Sequence, residues 1–188
     1  GGGAGEKGFN VSSADNNNGI KIIGSIETDT ITAGAGRDTL DGGKGADSIT
    51  GGGGIDDFLY TTADSVILSA STFAGAVYAA GDTMTFANGV DVITGFTAGT
   101  GGSKFVGSNA GVPTTAIGQA TANGLAGGTT YFLSGAWTTS TNVFTIAADG
   151  AGADTMILEG DGANVTANDD INILIGVDSD DFVAANFT

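Results

Sequence analysis

Four aspartates, Asp29, Asp38, Asp47 and Asp56, recur at nine-residue intervals and define the chemistry open to this chain. The sequence has no Cys and no His, which leaves poor prospects for zinc or copper sites. Carboxylates and backbone carbonyls remain, an all-oxygen donor set. Such a set suits a hard cation that takes about six to eight oxygens at ~2.3–2.6 Å, and calcium fits it better than magnesium, which demands near-octahedral geometry and keeps its water. A lone Asp in a Gly-rich stretch is ordinarily a solvated turn carboxylate. The regular spacing argues against that reading here.

Three of the aspartates occupy the sixth place of a nonapeptide: AGAGRDTLD (33–41), GGKGADSIT (42–50) and GGGGIDDFL (51–59). Each copy has Gly at its second and fourth places and an apolar residue, Leu40, Ile49 or Phe58, at its eighth. The preceding GSIETDTIT (24–32) keeps only Gly24, Asp29 and Ile31, as an end repeat does when it has one neighbour fewer. A flexible Gly-rich linker would show glycines without phase. Places six to nine alternate polar and apolar, a strand's period of two. Places one to five are Gly-rich because the chain must reverse there, and positive φ is open to Gly without strain.

A strand this short cannot bury a face alone, so the units must stack. Turn plus strand makes half a coil, and eighteen residues make one coil of a right-handed parallel β-roll. Turn 33–38 then faces turn 51–56 on one edge, and turn 24–29 faces turn 42–47 on the other. Each pair offers two carboxylates and several carbonyls to the gap between them.

The pattern GGxGxDxUx, with U a large apolar residue, resembles the RTX (repeats-in-toxin) calcium-binding β-roll of proteins exported by bacterial type I secretion. Residues 42–59 match it at every defined place, and 33–41 misses only its first Gly. The resemblance implies that calcium is held by Asp38, Asp47 and Asp56 with the carbonyls of Gly34, Gly36, Gly43, Gly45, Gly52 and Gly54. Asp29 is a further candidate, although Ser25 and Glu27 stand where its turn should have Gly. The next turn in phase, Tyr60 to Ser65, has no Gly at all.

Charge narrows the partners. The net charge is −16 with five basic residues, and residues 105–188 carry nine acidic and no basic side chains. Nucleic acid and anionic membrane surfaces need Lys and Arg, so neither is an expected partner. A chain this acidic repels itself until cations arrive. No apolar run is long enough to span a bilayer. With no signal peptide and Gly rather than Met at its start, the chain is expected to be the C-terminal piece of a larger protein.

The expected division is 1–23 as lead-in and cap strands, 24–60 as the roll, and 61–188 as a β-rich C-terminal domain with a secretion or assembly tail. A turn at Asp15–Gly19 precedes Ile20–Gly24, which starts the roll and protects its open edge with Lys21. Beyond the repeats, a short helix is expected near Ala63–Ser69, then strands over Asp82–Phe86 and Val90–Phe96. GVDVITGF resembles the D-x-I-x-D-F segment that follows RTX repeats, with Gly95 in place of the second Asp, and keeps Asp91 as a candidate ligand. Residues 99–130 read as loops with one short helix around Thr115–Gly124. Four further strands are expected, at Thr130–Ser134, Asn142–Ala147, Thr155–Glu159 and Ile171–Val177, in a sandwich or a broadened continuation of the roll. Phe132, Trp137 and Phe144 are expected in the core. The single nonapeptide match at Asp149–Met156, with Asp154 at its sixth place, lacks a stacked partner and reads as a tight turn. Residues 130–188 resemble the C-terminal part of RTX-type bacterial surface-layer proteins. The tail Asp178–Thr188 is expected to carry export information.

Function follows from these expectations. One reading is a secreted calcium-binding structural segment, extracellular or at the cell surface, that self-associates into a lattice or filament. The alternative is a calcium-triggered folding and type I secretion module attached to a larger RTX enzyme, toxin or adhesin. An enzyme in its own right is not expected: there is no Gly-x-Ser-x-Gly elbow and no phosphate-binding loop.

Overall fold

The computed structural model describes residues 8–59, 68–71, 78–87, 90–106, 129–160 and 170–187. The nonapeptides build the half-coils that their pattern demands. Strands β1 (Asn10–Ser12), β2 (Lys21–Ser25), β3 (Thr30–Thr32), β4 (Thr39–Gly43), β5 (Ser48–Thr50) and β6 (Asp57–Leu59) fall alternately on two sheets. β1, β3 and β5 pair in parallel on one face, and β2, β4 and β6 pair in parallel on the other. The register is eighteen residues per coil: Ile31 lies opposite Ile49, and Ile22, Leu40 and Phe58 form one row. The eighth-place residues Ile31, Leu40, Ile49 and Phe58 are all buried between the sheets.

The glycines of the turns serve two needs. Gly43, Gly45, Gly52 and Gly54 take positive φ, as the chain reversal requires. Gly34 and Gly36 do not, contrary to expectation for their turn. Close stacking requires Gly there instead: a Cβ on Gly34 would sit 1.9 Å from the carbonyl oxygen of Asn16, one coil below.

After β6 the chain leaves the roll and comes back to it. The later strands are β7 (Leu68–Ser71), β8 (Thr83–Phe86), β9 (Asp91–Thr94), β10 (Lys104–Val106), β11 (Thr129–Thr138), β12 (Val143–Ile146), β13 (Asp154–Gly160) and β14 (Asp170–Ile175). β9 pairs in parallel with β5, Ile93 opposite Ile49, and β10 pairs in parallel with β6, Phe105 opposite Phe58. These two strands form a further coil. β14 then adds in parallel to β9, and β13, β11, β12, β8 and β7 follow antiparallel, giving one ten-stranded sheet facing a four-stranded one. The second half is thus the broadened continuation of the roll. Hydrogen bonding passes from the repeats into it on both sheets.

Two cores result. The first runs through the roll from Ile22 and Ile31 to Phe105, and continues under Phe132, Ile157 and Leu174. The second lies on the opposite face of the large sheet, around Met84, Phe86, Leu133, Phe144, Met156 and Ile173. Residues 179–187 close the far end of the first core. Phe182 stacks on Phe132 with centroids 4.8 Å apart, and Phe187 stacks on Phe105 at 6.0 Å. Phe187 also forms a parallel bridge with Phe105, extending the small sheet by one residue beyond β10.

Several local expectations change. Leu68–Ser71 is strand, not the end of a helix, and residues 63–67 lie outside the described residues. Lys104–Val106 is a strand within the stretch read as loops, because Phe105 completes the row begun by Ile22. The helix expected around Thr115–Gly124 lies outside the described residues. Among the described residues no helix is long and apolar enough to cross a membrane.

Candidate metal centre

Stacked turns bring the sixth-place carboxylates into two columns, one on each edge of the roll. On one edge, the Asp29 amide donates to Asp47 Oδ1 at 2.7 Å and the Asp47 amide donates to Asp91 Oδ1 at 2.8 Å. On the other, the Asp38 amide donates to Asp56 Oδ1 at 2.9 Å, and the Asp56 amide meets Ser103 Oγ at 3.3 Å. The columns begin below the repeats, where Phe9 and Ile20 donate their amides to Asp29 and Asp38 at 2.7 and 2.9 Å. Parallel pairing forces this arrangement, since each sixth place precedes its strand by one residue and strands stack about 4.8 Å apart.

One oxygen in each stacked pair is left over. Asp47 Oδ2 and Asp56 Oδ2 are buried and have no hydrogen-bond partner. The lower member of each pair is better satisfied. Asp29 accepts from the amide and hydroxyl of Ser25 as well as from Phe9, and Asp38 Oδ2 accepts from the Gly34 amide at 3.3 Å. Ser25 therefore ties its turn together where the repeat has Gly, its Oγ also accepting from the Glu27 amide.

The electrostatics follow from that packing. Burial pushes Asp47 up to about 7, with the nearby charges of Asp29 and Asp41 adding to the rise against the opposing effect of the Asp29 amide. Burial likewise pushes Asp56 up to about 6, opposed by the Asp38 amide and aided by the charges of Asp38 and Asp57. A buried carboxylate with an unmatched oxygen is costly unless positive charge reaches it.

Carbonyls of one turn stand close to the glycines of the turn stacked on it. A Cβ on Gly52 would lie 2.1 Å from the Gly34 oxygen, and one on Gly54 would lie 2.3 Å from the Gly36 oxygen. On the other edge, Gly43 and Gly45 stack in the same way over Ser25 and Glu27. Each gap thus brings together two carboxylates, turn carbonyls and an orphaned anionic oxygen, with neither nitrogen nor sulfur side chains. These residues fit a hard divalent cation. Among the described residues no group of three or more acidic side chains converges.

Two of these positions are hidden in the linear pattern. Asp91 takes the sixth-place position of the next coil although it follows Asp47 by 44 residues. Ser103 takes that position on the other edge and ends the acidic column. Asp154, in the isolated match, is satisfied by backbone alone: it accepts from the Trp137 and Gly176 amides at 2.8 and 3.0 Å, pinning β11 and the end of β14 to β13. Asp57, at a seventh place, points out of the roll and accepts both contacts from Arg37 Nη2 at 3.0 Å.

Residues 23–65 match the family model of the RTX calcium-binding nonapeptide repeat (4 copies). The repeats bind calcium. No curated protein sequence matches the chain. Among solved structures, the solution structure of the AlgE6R3 subunit from the Azotobacter vinelandii mannuronan C5-epimerase is 18% identical with a TM-score of 0.40, over 94% of this chain and 82% of that one. The RTX match ends at residue 65, whereas the carboxylate column continues to Asp91.

Proposed function

We propose that this chain is a secreted structural segment that folds on calcium and takes part in assembling a surface layer or an extracellular filament. The observation that carries the calcium part is the pair of buried, donor-less oxygens on Asp47 and Asp56, each in a gap between stacked turns. In this reading one ion sits between turns 24–29 and 42–47, held by Asp29 and Asp47 with the carbonyls of Gly43 and Gly45. A second sits between turns 33–38 and 51–56, held by Asp38 and Asp56 with the carbonyls of Gly34, Gly36, Gly52 and Gly54. Calcium acts there by ordering the chain, not by polarising a substrate.

The net charge of −16 supports the assembly part of the reading. Copies this acidic repel one another until cations neutralise them, so calcium would both fold the subunit and permit contact between subunits. The test is to examine purified chain by electron microscopy and light scattering in calcium and in chelator. Ordered sheets or filaments that form with calcium and dissolve in chelator are expected. A monodisperse calcium-loaded monomer would overturn the assembly reading and favour an export and folding module of a larger protein. Arrays that persist in excess chelator at low salt would count against calcium control.

A further inference from the structure

The roll and the antiparallel end of the large sheet enclose a cleft that meets the calcium columns at Asp47. Its volume is about 340 Å³, near the lower bound for small-molecule sites. Thr28, Asp47 and Ser48 reach it from the roll, Val90 and Val92 from the strand that follows, and Trp137, Thr139 and Asn142 from the β11–β12 hairpin. We infer that this cleft binds a neutral, hydroxyl-rich ring, a sugar unit, stacked on Trp137.

Three features support that ligand class. First, the indole is held in place. It packs on Phe86 at 6.1 Å between centroids, and its backbone amide is fixed by Asp154 at 2.8 Å. A rigid aromatic face with an apolar body and a polar edge is a low-entropy platform for a ring. Second, the indole Nε1 is buried without an acceptor, although a buried donor of this kind normally has one. A ligand oxygen entering beside the ring, with a small rotation of the indole, supplies the acceptor.

Third, the cleft wall selects against negative charge. Among the described residues no Lys or Arg lines the cleft and Asp47 does, and the whole chain is strongly acidic, so phosphate and carboxylate ligands have no counter-charge. Its polar members are the hydroxyls of Thr28, Ser48 and Thr139 and the amide of Asn142, groups that both donate and accept, together with the Asp47 carboxylate, which accepts from hydroxyls. Their natural complement is a ligand whose groups also do both. Asn142 is held at φ +50, the one positive φ outside glycine among the described residues, as the hairpin turns past the cleft.

Trp137 is the only tryptophan in the chain, so its emission reports on the cleft directly. The experiment titrates calcium-loaded protein with glucose, galactose, mannose and N-acetylglucosamine, with tetramethylammonium as a cationic comparison for the aromatic face. The expected result is a saturable emission change with at least one sugar at a Kd of about 1 mM. The double variant Asn142→Gly, Thr139→Ala keeps the reporter and permits positive φ at residue 142. It should bind at least about tenfold more weakly with its calcium-induced circular dichroism unchanged, since two hydrogen-bonding side chains are lost. Trp137→Phe, followed by calorimetry, should bind more weakly as well, because it keeps a ring but loses the N–H. No saturable response to any of the four sugars, a response to tetramethylammonium alone, or unchanged affinity in the double variant would each overturn the inference.

Discussion

Asp56 and Asp57 are sequence neighbours that lose the same charge on substitution by Asn, yet the structure predicts opposite consequences. Asp56 is fully buried, with one oxygen bound by the Asp38 amide and the other orphaned. Its pKa rises from 3.8 to about 6. At about 1.4 kcal/mol per unit, the ionised carboxylate penalises the metal-free roll by about 3 kcal/mol at neutral pH. Asp56→Asn removes that charge and keeps an oxygen for the Asp38 amide, so the metal-free roll should become more stable. The same change takes one of two carboxylates from the gap between turns 33–38 and 51–56. Calcium should then be needed at a concentration at least about tenfold higher, a loss of about 1.4 kcal/mol or more.

Asp57→Asn breaks only a surface pair with Arg37, whose side chain is 60% exposed. Such a pair contributes about 0–1 kcal/mol, and the calcium midpoint should stay within about twofold of the parent. Circular dichroism provides both readouts: osmolyte-induced folding in chelator measures the metal-free roll, and a calcium titration gives the midpoint. Equal shifts in the two variants would mean that net charge alone matters. A metal-free Asp56→Asn roll weaker than the parent would show that the buried carboxylate is not a liability.

Acid should favour the metal-free roll. Burial raises Asp47 to about 7 and Asp56 to about 6 from the ordinary carboxyl value of 3.8, so the folded state holds more protons across that window. Stability in chelator should rise as pH falls from about 7 toward 4 while the calcium midpoint moves upward, both followed by circular dichroism. Gly52→Ala should disrupt the stack, since φ is +84 and the new Cβ would lie 2.1 Å from the Gly34 oxygen, whereas Gly53→Ala meets only Ala35 at 3.7 Å. The first should cost more than about 1–2 kcal/mol and the second under about 0.5 in urea unfolding with calcium present. Phe187→Ala should cost about 3–5 kcal/mol, read through Trp137 emission, because it removes a buried ring stacked on Phe105.

The legible part of this molecule is its local periodicity. Gly, Asp and one apolar residue recur in phase from 33 to 59, and that phase sets strands, turns, register and the two carboxylate pairs. What the sequence conceals is non-local. Asp91 joins the column across 44 positions, and no nine-residue pattern links it to Asp47. Asn16 and Asn18 underlie Gly34 and Gly36 as the first turn of the stack, but without Gly or Asp in phase they read only as an isolated turn. Phe105 and Phe187 complete the core from segments whose composition suggested loop and tail. Asp154 shows the converse. It has the motif's local form, but backbone amides from β11 and the end of β14 occupy its carboxylate.

The position of β14 between β9 and β13 sets a constraint in time. As the polypeptide is synthesised, the repeats are complete at residue 59, while the strand that pairs with β9 begins only at residue 170. β9, complete at residue 94, therefore waits for about 75 residues before its partner in the sheet arrives. Parallel pairing over such a separation is slow, and the coil of β9 and β10 spends that interval with an open edge and an unplugged core. A chain built this way stays pliable until its late segments arrive.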